Sequence, residues 1–317
     1  TVIADSLGPT YGIYLEGLRT GATIYNNDIF YRSPGSMVGS YSIGLHARSS
    51  DRIVVDHNRF NNPGMVTAGS HAAFMIEDAP NTDFRFNDVN VMSAAGNPLE
   101  EGYGIFIQVS TGIRVMNNVV ATSMTVTLTS ATFKVDNQST VGSLPDFNIY
   151  FSSTGLNTLL QQYPSSSTAQ QFPWGGDVDR NSISVNPHWP NLLPGSEDFH
   201  PRSQQGRYDP ALGTFVVDAW TSGSLDRGDY NLPVGLEPAG ENGNKVNMGS
   251  YGGTAEASKT PPAPTSPAVV AVYASSITVS FTPGGATRHT VAVSSVPNFS
   301  AVIVSSHVND PRVAEQV

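Results

Sequence analysis

The chain has 317 residues, a formal net charge of -10, 16 basic against 26 acidic residues and no cysteine. Too few basic residues for a concentrated positive field argue against a nucleic-acid partner, no apolar run approaches the length of a membrane span, and disulfide or thiol chemistry is excluded. Charged residues make up only 13% and glycine and proline are frequent, a texture of many short strands joined by turns.

From Tyr11 to Val120 one pattern is written four times. Each copy has two alternating runs: Ile13/Leu15 then Ala22/Ile24, Ile43/Leu45 then Ile53/Val55, Phe74/Ile76 then Phe84/Phe86, and Ile105/Ile107 then Ile113/Val115. One further apolar residue closes each copy: Ile29, Phe60, Val91 or Val120. Period-2 alternation marks strands, and the copies align at Asn27, Asn58, Val89 and Asn118, at intervals of 31, 31 and 29. A fixed period of this size means a solenoid whose coils bury one another's apolar faces. The expected fold is all-β: a right-handed parallel β-helix over residues 1–151. Asn tolerates the left-handed turn, and its amide can bond to the next coil, so Asn27, Asn58 and Asn118 read as a structural ladder. Val89 breaks it, with Asn87 or Asn90 expected to take over. The run Thr1-Val2-Ile3-Ala4 reads as already within a strand, so further coils and an export signal are expected before it.

This alignment stacks outward side chains about 4.8 Å apart. The first strand gives Tyr14/Gly44/Met75/Phe106 and Glu16/His46/Glu77/Gln108. The second gives Thr23/Val54/Arg85/Arg114 and Tyr25/Asp56/Asn87/Met116. An imidazole at His46 between Glu16 and Glu77 is expected to have a raised pKa. The column reads in three ways: a solvated charge ladder, a glycan or cation site, or an acid–base centre of Glu16, His46, Glu77 and Arg85. Tyr14, Phe106, Gln108, Asp56 and Arg114 are the glycan-contact candidates, because flat apolar faces suit sugar rings.

Residues 121–151 read as a less regular coil, with Thr125–Thr129 and Phe133–Val135 as runs. Residues 152–258 read as irregular coils and a closing segment, including a long loop around Tyr163-Pro164 and Phe172-Pro173-Trp174. Asp177, Asp179 and Asn181 open like an EF-hand loop, but Ser182 and His188 stand where that loop needs Gly and Glu. A turn is the expectation, with calcium the only cofactor to consider. His188, Trp189, Asp198 and His200 match no metal spacing.

The closing segment carries a more specific signal: Asp198-Phe199-His200, Gly206-Arg207, Leu225-Asp226 with Gly228-Asp229, Glu237-Pro238, Asn242-Gly243, then Asn247-Met248-Gly249 and Tyr251-Gly252-Gly253-Thr254. This order resembles the closing segment of secreted bacterial β-helix proteins of the pectin-lyase-like superfamily. With the coils, the resemblance covers about 250 residues. It implies a β-helix, an extracellular or cell-surface location and a multidomain chain, but no particular reaction. Polysaccharide lyases of that fold use Arg or Lys as base, often with calcium. Here Lys134, Lys245 and Lys259 are the only lysines and none lies in the regular coils. The motif sets of pectate lyases and β-helix polygalacturonases are missing.

A proline-rich linker spans 259–267. Residues 268–317, with Ile277–Phe281 and His289–Val293, resemble the first half of a fibronectin type III domain, Phe281 standing for its usual Trp. About 50 residues are roughly half of such a sandwich, so an incomplete domain is expected. The function read from the sequence is surface presentation or recognition of a polysaccharide or cell-surface glycan through a sheet face, with further domains of a longer chain as partners. The alternative is a polysaccharide lyase or glycoside hydrolase at the same face, walled by loops at 31–40, 61–72, 92–102 and 152–175.

Overall fold

The computed structural model describes residues 2–4, 10–31, 35–64, 66–92, 101–123, 131–136, 139–141, 145–153, 160–161, 170–171, 179–260, 265–273, 277–282, 289–294 and 302–308. The runs Thr125–Thr129, Tyr163-Pro164, Phe172-Pro173-Trp174 and Asp177 lie outside these residues, as do most of the expected wall loops at 92–102 and 152–175; the loops expected at 31–40 and 61–72 are instead strand over 35–40, 61–63 and 66–72.

The fold is a parallel β-solenoid with three faces. The first sheet stacks Thr10–Glu16, Gly35–Arg48, Val66–Glu77, Glu101–Gln108 and Ala131–Val135. The second stacks Ala22–Tyr25, Ile53–Asp56, Asp83–Arg85, Thr111–Met116 and Thr140–Val141. The third stacks Val2–Ala4, Asp28–Tyr31, Arg59–Pro63, Asp88–Met92, Val119–Ser123 and Ile149–Ser152. All neighbours within these sheets are parallel. Among the described residues no helix is long and apolar enough to cross a membrane.

The repeat is confirmed, but its short step sits elsewhere. The 29-residue interval falls between the second and third coils, not between the third and fourth. Leu45, not Ile43, stacks on Ile13 and Phe74. Phe84, not Phe86, stacks on Val55 and Val115, and Val89, not Val91, joins Phe60 and Val120. Ile43, Phe86 and Val91 are apolar residues two positions from the true partner, so hydrophobic matching alone accepts the wrong register.

The third coil therefore keeps the ladder, with Asn87 as its rung. The Asn87 Nδ2 donates to Val55 O at 2.9 Å, Arg85 O at 2.7 Å and Asn118 Oδ1 at 3.0 Å. Its Oδ1 accepts from the backbone N and Nδ2 of Asn58. The ladder runs Asn27, Asn58, Asn87, Asn118, Asn148 and ends on the Ser182 hydroxyl. The left-handed residue is the one before each Asn: Asn26, His57, Phe86, Asn117 and Phe147, with φ from 50 to 60°. A second, unforeseen ladder at the first-to-second-sheet turn uses Ser50, Ser110 and Ser139, with Ala79 as a gap.

Strict alternation also fails at one column of the first sheet. Ala73 and Phe74 are consecutive and both in the core. At the matching positions a Cβ on Gly12 would lie 2.7 Å from Ile29, on Gly44 2.1 Å from Phe60, and on Gly104 2.5 Å from Val120. The third-sheet side chains occupy that space, so the column admits only small residues. As a result Ile43, Ala72, Met75, Tyr103, Phe106 and Ala131 form a separate apolar strip on the outer side.

Residues 179–260 dock on the third sheet and its adjoining corner. Asp88 accepts from Ser250 N at 2.7 Å and Oγ at 2.6 Å. Asn117 Oδ1 accepts from Asp229 N at 2.8 Å, and His57 Nε2 stands 3.0 Å from Gly252 O. Met248 joins Val119, Phe147 and Ile149 in an apolar cluster, and Phe199 stacks on Phe30. The residues that carried the closing-segment resemblance brace it from within. Arg207 holds Asp198 and Asp218, Glu237 Oε1 accepts from Asn247 N and Gly253 N, both at 2.8 Å, and Asn247 links Asp226 to Ser258.

The C-terminal residues form two antiparallel pairs, Thr265–Val272 with Ile277–Thr282 and His289–Ser294 with Val302–Val308. Val269, Val270, Val272 and Tyr273 are exposed.

Candidate functional site

The outer face of the first sheet carries the expected acid–base residues in a different order. The register pairs Tyr14 with His46, His46 with Met75 and Met75 with Phe106. It pairs Glu16 with Arg48, Arg48 with Glu77 and Glu77 with Gln108. The expected line Glu16–His46–Glu77 is thus corrected: Arg48 stands between the two glutamates, and His46 lies in the aromatic column. His46 nevertheless reaches across, placing Nε2 3.0 Å from Glu77 Oε2, an oxygen that is also 3.6 Å from Arg48 Nε.

The expected rise in the His46 pKa does not occur. His46 is 5% exposed, and its burial lowers the pKa more than Glu77 and the more remote Glu16 raise it, with Arg48 adding to the lowering. The imidazole is therefore neutral at neutral pH. A carboxylate only accepts, so Nε2 carries the proton and donates it to Glu77. This pair is a fixed donor and acceptor beside Arg48.

Above it sit two rings. Tyr11 and Tyr14 are 41% and 40% exposed, with centroids 4.9 Å apart. Tyr11 stacks on His46 at 5.7 Å and Tyr14 meets it edge-on at 5.4 Å. Tyr11 was not among the sequence candidates: strict alternation sets it on the inward side with Ile13 and Leu15, and only the break at Gly12 brings it outward beside Tyr14. Phe106, at the other end of the column, is buried, and the Lys134 ammonium lies 4.8 Å from its centroid. Its face is covered by that cation, while the same Lys134 donates to Tyr103 Oη at 2.9 Å. Gln108 is half-buried beside Glu77.

Arg85 lies on the second sheet, so the four acid–base candidates do not converge. The shifted register stacks Tyr25/Asp56/Arg85/Met116 and Val54/Asp83/Arg114. Two arginines expected side by side are instead interleaved with carboxylates. Arg85 donates to Asp56 Oδ2 from Nε at 3.2 Å and Nη2 at 3.0 Å, and its Nη1 lies 3.5 Å from Asp83. Arg114 grips the same Asp83 through Nε at 3.0 Å and through Nη2. Burial works to raise the Asp56 pKa, but His57, with Nδ1 2.5 Å away, and Arg85 outweigh it and hold the carboxyl below its usual range. The hydrogen bond to Asp83 raises the Arg114 pKa further, and a guanidinium is in any case a fixed cation and pure donor, the wrong state for a general base. Asp56 and Arg114, offered as glycan contacts, belong to this ionic lattice.

The EF-hand-like stretch serves the ladder. Asp179 bonds the Ser182 hydroxyl, which accepts from Asn148 N at 2.7 Å. Asp146 accepts from Asn181 N and Nδ2 at 2.7 and 2.8 Å. Burial pushes the Asp179 carboxyl up to about 8, so at neutral pH it is largely protonated and poorly suited to a hard cation. Among the described residues no group of three or more His, Asp or Glu is placed to hold a metal ion. His200 bridges Asp198 at 2.7 Å and Glu256 at 3.4 Å while stacking on Tyr251.

Compared with protein-family models, with curated proteins and with solved structures, the chain has no significant match.

Proposed function

We propose that this chain is an extracellular or cell-surface β-helix module that recognises a polysaccharide or cell-surface glycan through the outer face of its first sheet. The observation that carries this reading is the exposed Tyr11–Tyr14 ring pair, backed by His46 and bordered by Glu16, Arg48 and Glu77. Rings supply flat apolar contact, and the charged border supplies donors and acceptors for hydroxyl groups. Membership of the pectin-lyase-like superfamily and a fibronectin-type-III-like tail belong to the same proposal. They rest on the closing-segment residues and the strand pattern after 268.

The competing reading is a polysaccharide lyase or glycoside hydrolase, and it draws on the His46–Glu77 contact at 3.0 Å. The placement of Arg85 on another sheet, locked to Asp56, favours recognition over catalysis. A glycan array followed by titration of the captured glycan tests both. Tyr11→Ala and Tyr14→Ala are each expected to weaken binding roughly five- to tenfold, since a stacking ring contributes about 1 kcal/mol. Undiminished binding in both would remove the site. Turnover by the wild type that vanishes in Glu77→Gln, with binding kept, would replace recognition with catalysis.

A further inference from the structure

A second concave feature, separate from the first-sheet face, lies where the solenoid meets the closing segment. A pocket of roughly 260 Å3 opens there between Tyr25, Asn26, His57, Arg59, Tyr251 and Glu256. It draws its walls from residues more than 190 positions apart, so it exists only when residues 250–256 are docked on the coils. We propose that this pocket binds a single neutral sugar residue.

Three features point to that ligand class. The Tyr25 ring is 56% exposed, and His57 supports it at 5.4 Å. One face of a fixed ring is therefore open for the apolar face of a pyranose. Arg59, in the same lining, is buried and immobilised: Nε is paired with Asp28, Nη2 donates to Asn26 Oδ1 at 2.8 Å, and the guanidinium lies 5.3 Å from the centre of the Tyr251 ring. Those bonds leave Nη1 of Arg59 and Nδ2 of Asn26 as donors at the pocket. On the rim, the half-exposed Glu256 uses Oε2 toward His200 at 3.4 Å, and Oε1 remains as an acceptor. A ring face, paired donors and a carboxylate acceptor match a ring with adjacent hydroxyl groups, each of which both donates and accepts.

Charge and size narrow the class. The Arg59 cation is already met by Asp28, and Glu256 adds a negative charge, so an acidic sugar would face repulsion without a compensating free cation. The volume is below the roughly 300–1,000 Å3 of sites for drug-sized ligands, which suits one ring and excludes a buried oligosaccharide. A chain end or side branch fits this geometry better than an internal segment of a polymer. The first-sheet face differs in this respect, so the two sites make separate predictions.

The test uses the full chain, isotope-labelled for NMR, titrated with methyl glycosides of glucose, galactose, mannose and N-acetylglucosamine, and with methyl galacturonoside as the charged comparison. Saturable binding of at least one neutral glycoside is expected, with shifts centred on Tyr25, Asn26 and Tyr251. Tyr25→Ala and Glu256→Ala are each expected to weaken it at least tenfold, and Tyr14→Ala to leave it unchanged. Both altered side chains are exposed, and an otherwise unchanged spectrum verifies the fold of each variant. No saturation with any neutral glycoside, shifts mapping elsewhere, or preference for the galacturonoside would each overturn the proposal. Loss of polymer capture in Tyr14→Ala with intact glycoside binding here would separate this site from the first-sheet one.

Discussion

At the scale of single residues, the third coil shows what side-chain chemistry decides and hydrophobicity does not. Val89 and Val91 are both buried and both apolar, so either satisfies a hydrophobic pattern. Only Asn87 can supply a donor to Val55 O and Arg85 O and an acceptor to Asn58 at once. Replacing it by the similar-sized Leu leaves the buried Asn58 N–H without its acceptor and takes a donor from both Val55 O and Arg85 O. Each buried unsatisfied group costs about 1–3 kcal/mol, so Asn87→Leu is expected to cost about 3–5 kcal/mol. Asn27→Leu, at the partly exposed end of the ladder, is expected to cost only about 1 kcal/mol. Urea denaturation midpoints at unchanged slope measure both; equal losses would mean that the ladder is not a continuous buried network. The sequence made the existence of the ladder legible, because Asn recurs at a fixed period. The rung in the third coil was legible only as a choice between Asn87 and Asn90, because the alignment weighted apolar matches. The same two-residue error hid the chemistry of the second sheet: once Asp83 and Arg85 shift, two adjacent arginines become alternating ion pairs.

At the scale of elements, the solenoid faces are shaped by size complementarity between sheets as much as by alternation. The column Gly12, Gly44, Ala73, Gly104 is small because the third-sheet column Ile29, Phe60, Val89, Val120 stands opposite it. The largest partner, Phe60, faces a Gly, and Ala occurs in the coil where the third-sheet residue is Val89. Gly44→Ala places a methyl group 2.1 Å from the Phe60 ring and 2.6 Å from Ala73 O, and is expected to cost about 2–3 kcal/mol. Phe60→Val alone opens a cavity and costs a similar amount, about 2–3 kcal/mol. The double variant copies the Ala/Val pairing of the next coil, so it is expected to recover at least about 1 kcal/mol relative to the sum. A strictly additive double-mutant cycle would show that the two columns do not press on one another. This interlock explains why Ile43, Ala72, Tyr103 and Ala131 of the outer apolar strip escaped the sequence reading, whereas Met75 and Phe106 were placed outward. A break in alternation is set by a partner about 16 residues away in the chain, and no local period reports it.

At the scale of the molecule, stability and the second binding site depend on how residues 179–260 dock, and buried carboxyls control that docking. Burial pushes Asp88 up to about 7, against the pull of the Ser250 donors and the Arg59 charge. Burial likewise raises Glu237 to about 7, with Asp226 adding to it, and Asp179 to about 8, with Asp146 adding to it. In the unfolded chain these groups return to the ordinary carboxylate range of about 4. The native state then holds protons that the unfolded state has released, so stability falls as pH rises. The contribution is complete below the unfolded pKa and is lost as pH passes through the native values. His46, whose pKa burial lowers, and His71, which burial lowers to about 3, act in the opposite sense, but only where the unfolded imidazole charges, below about pH 6.5. The window from about pH 6.5 to 8 is therefore governed by the carboxyls. Unfolding free energy is expected to drop there by on the order of 2–3 kcal/mol, of which Asp88→Asn removes about 0.8 kcal/mol and Asp88→Asn with Glu237→Gln about twice that. Denaturant titrations at constant ionic strength across this window provide the measurement. A midpoint that stays level or rises with pH would show that the carboxyls ionise in place. Asp88 holds Ser250 and Glu237 holds Gly253; these donors favour the ionised carboxyls, but the larger cost of burying each charge falls on the docking of the segment that frames the pocket of Tyr25 and Glu256. Glycoside binding there is accordingly expected to weaken over the same pH range, and to weaken less in Asp88→Asn than in the wild type.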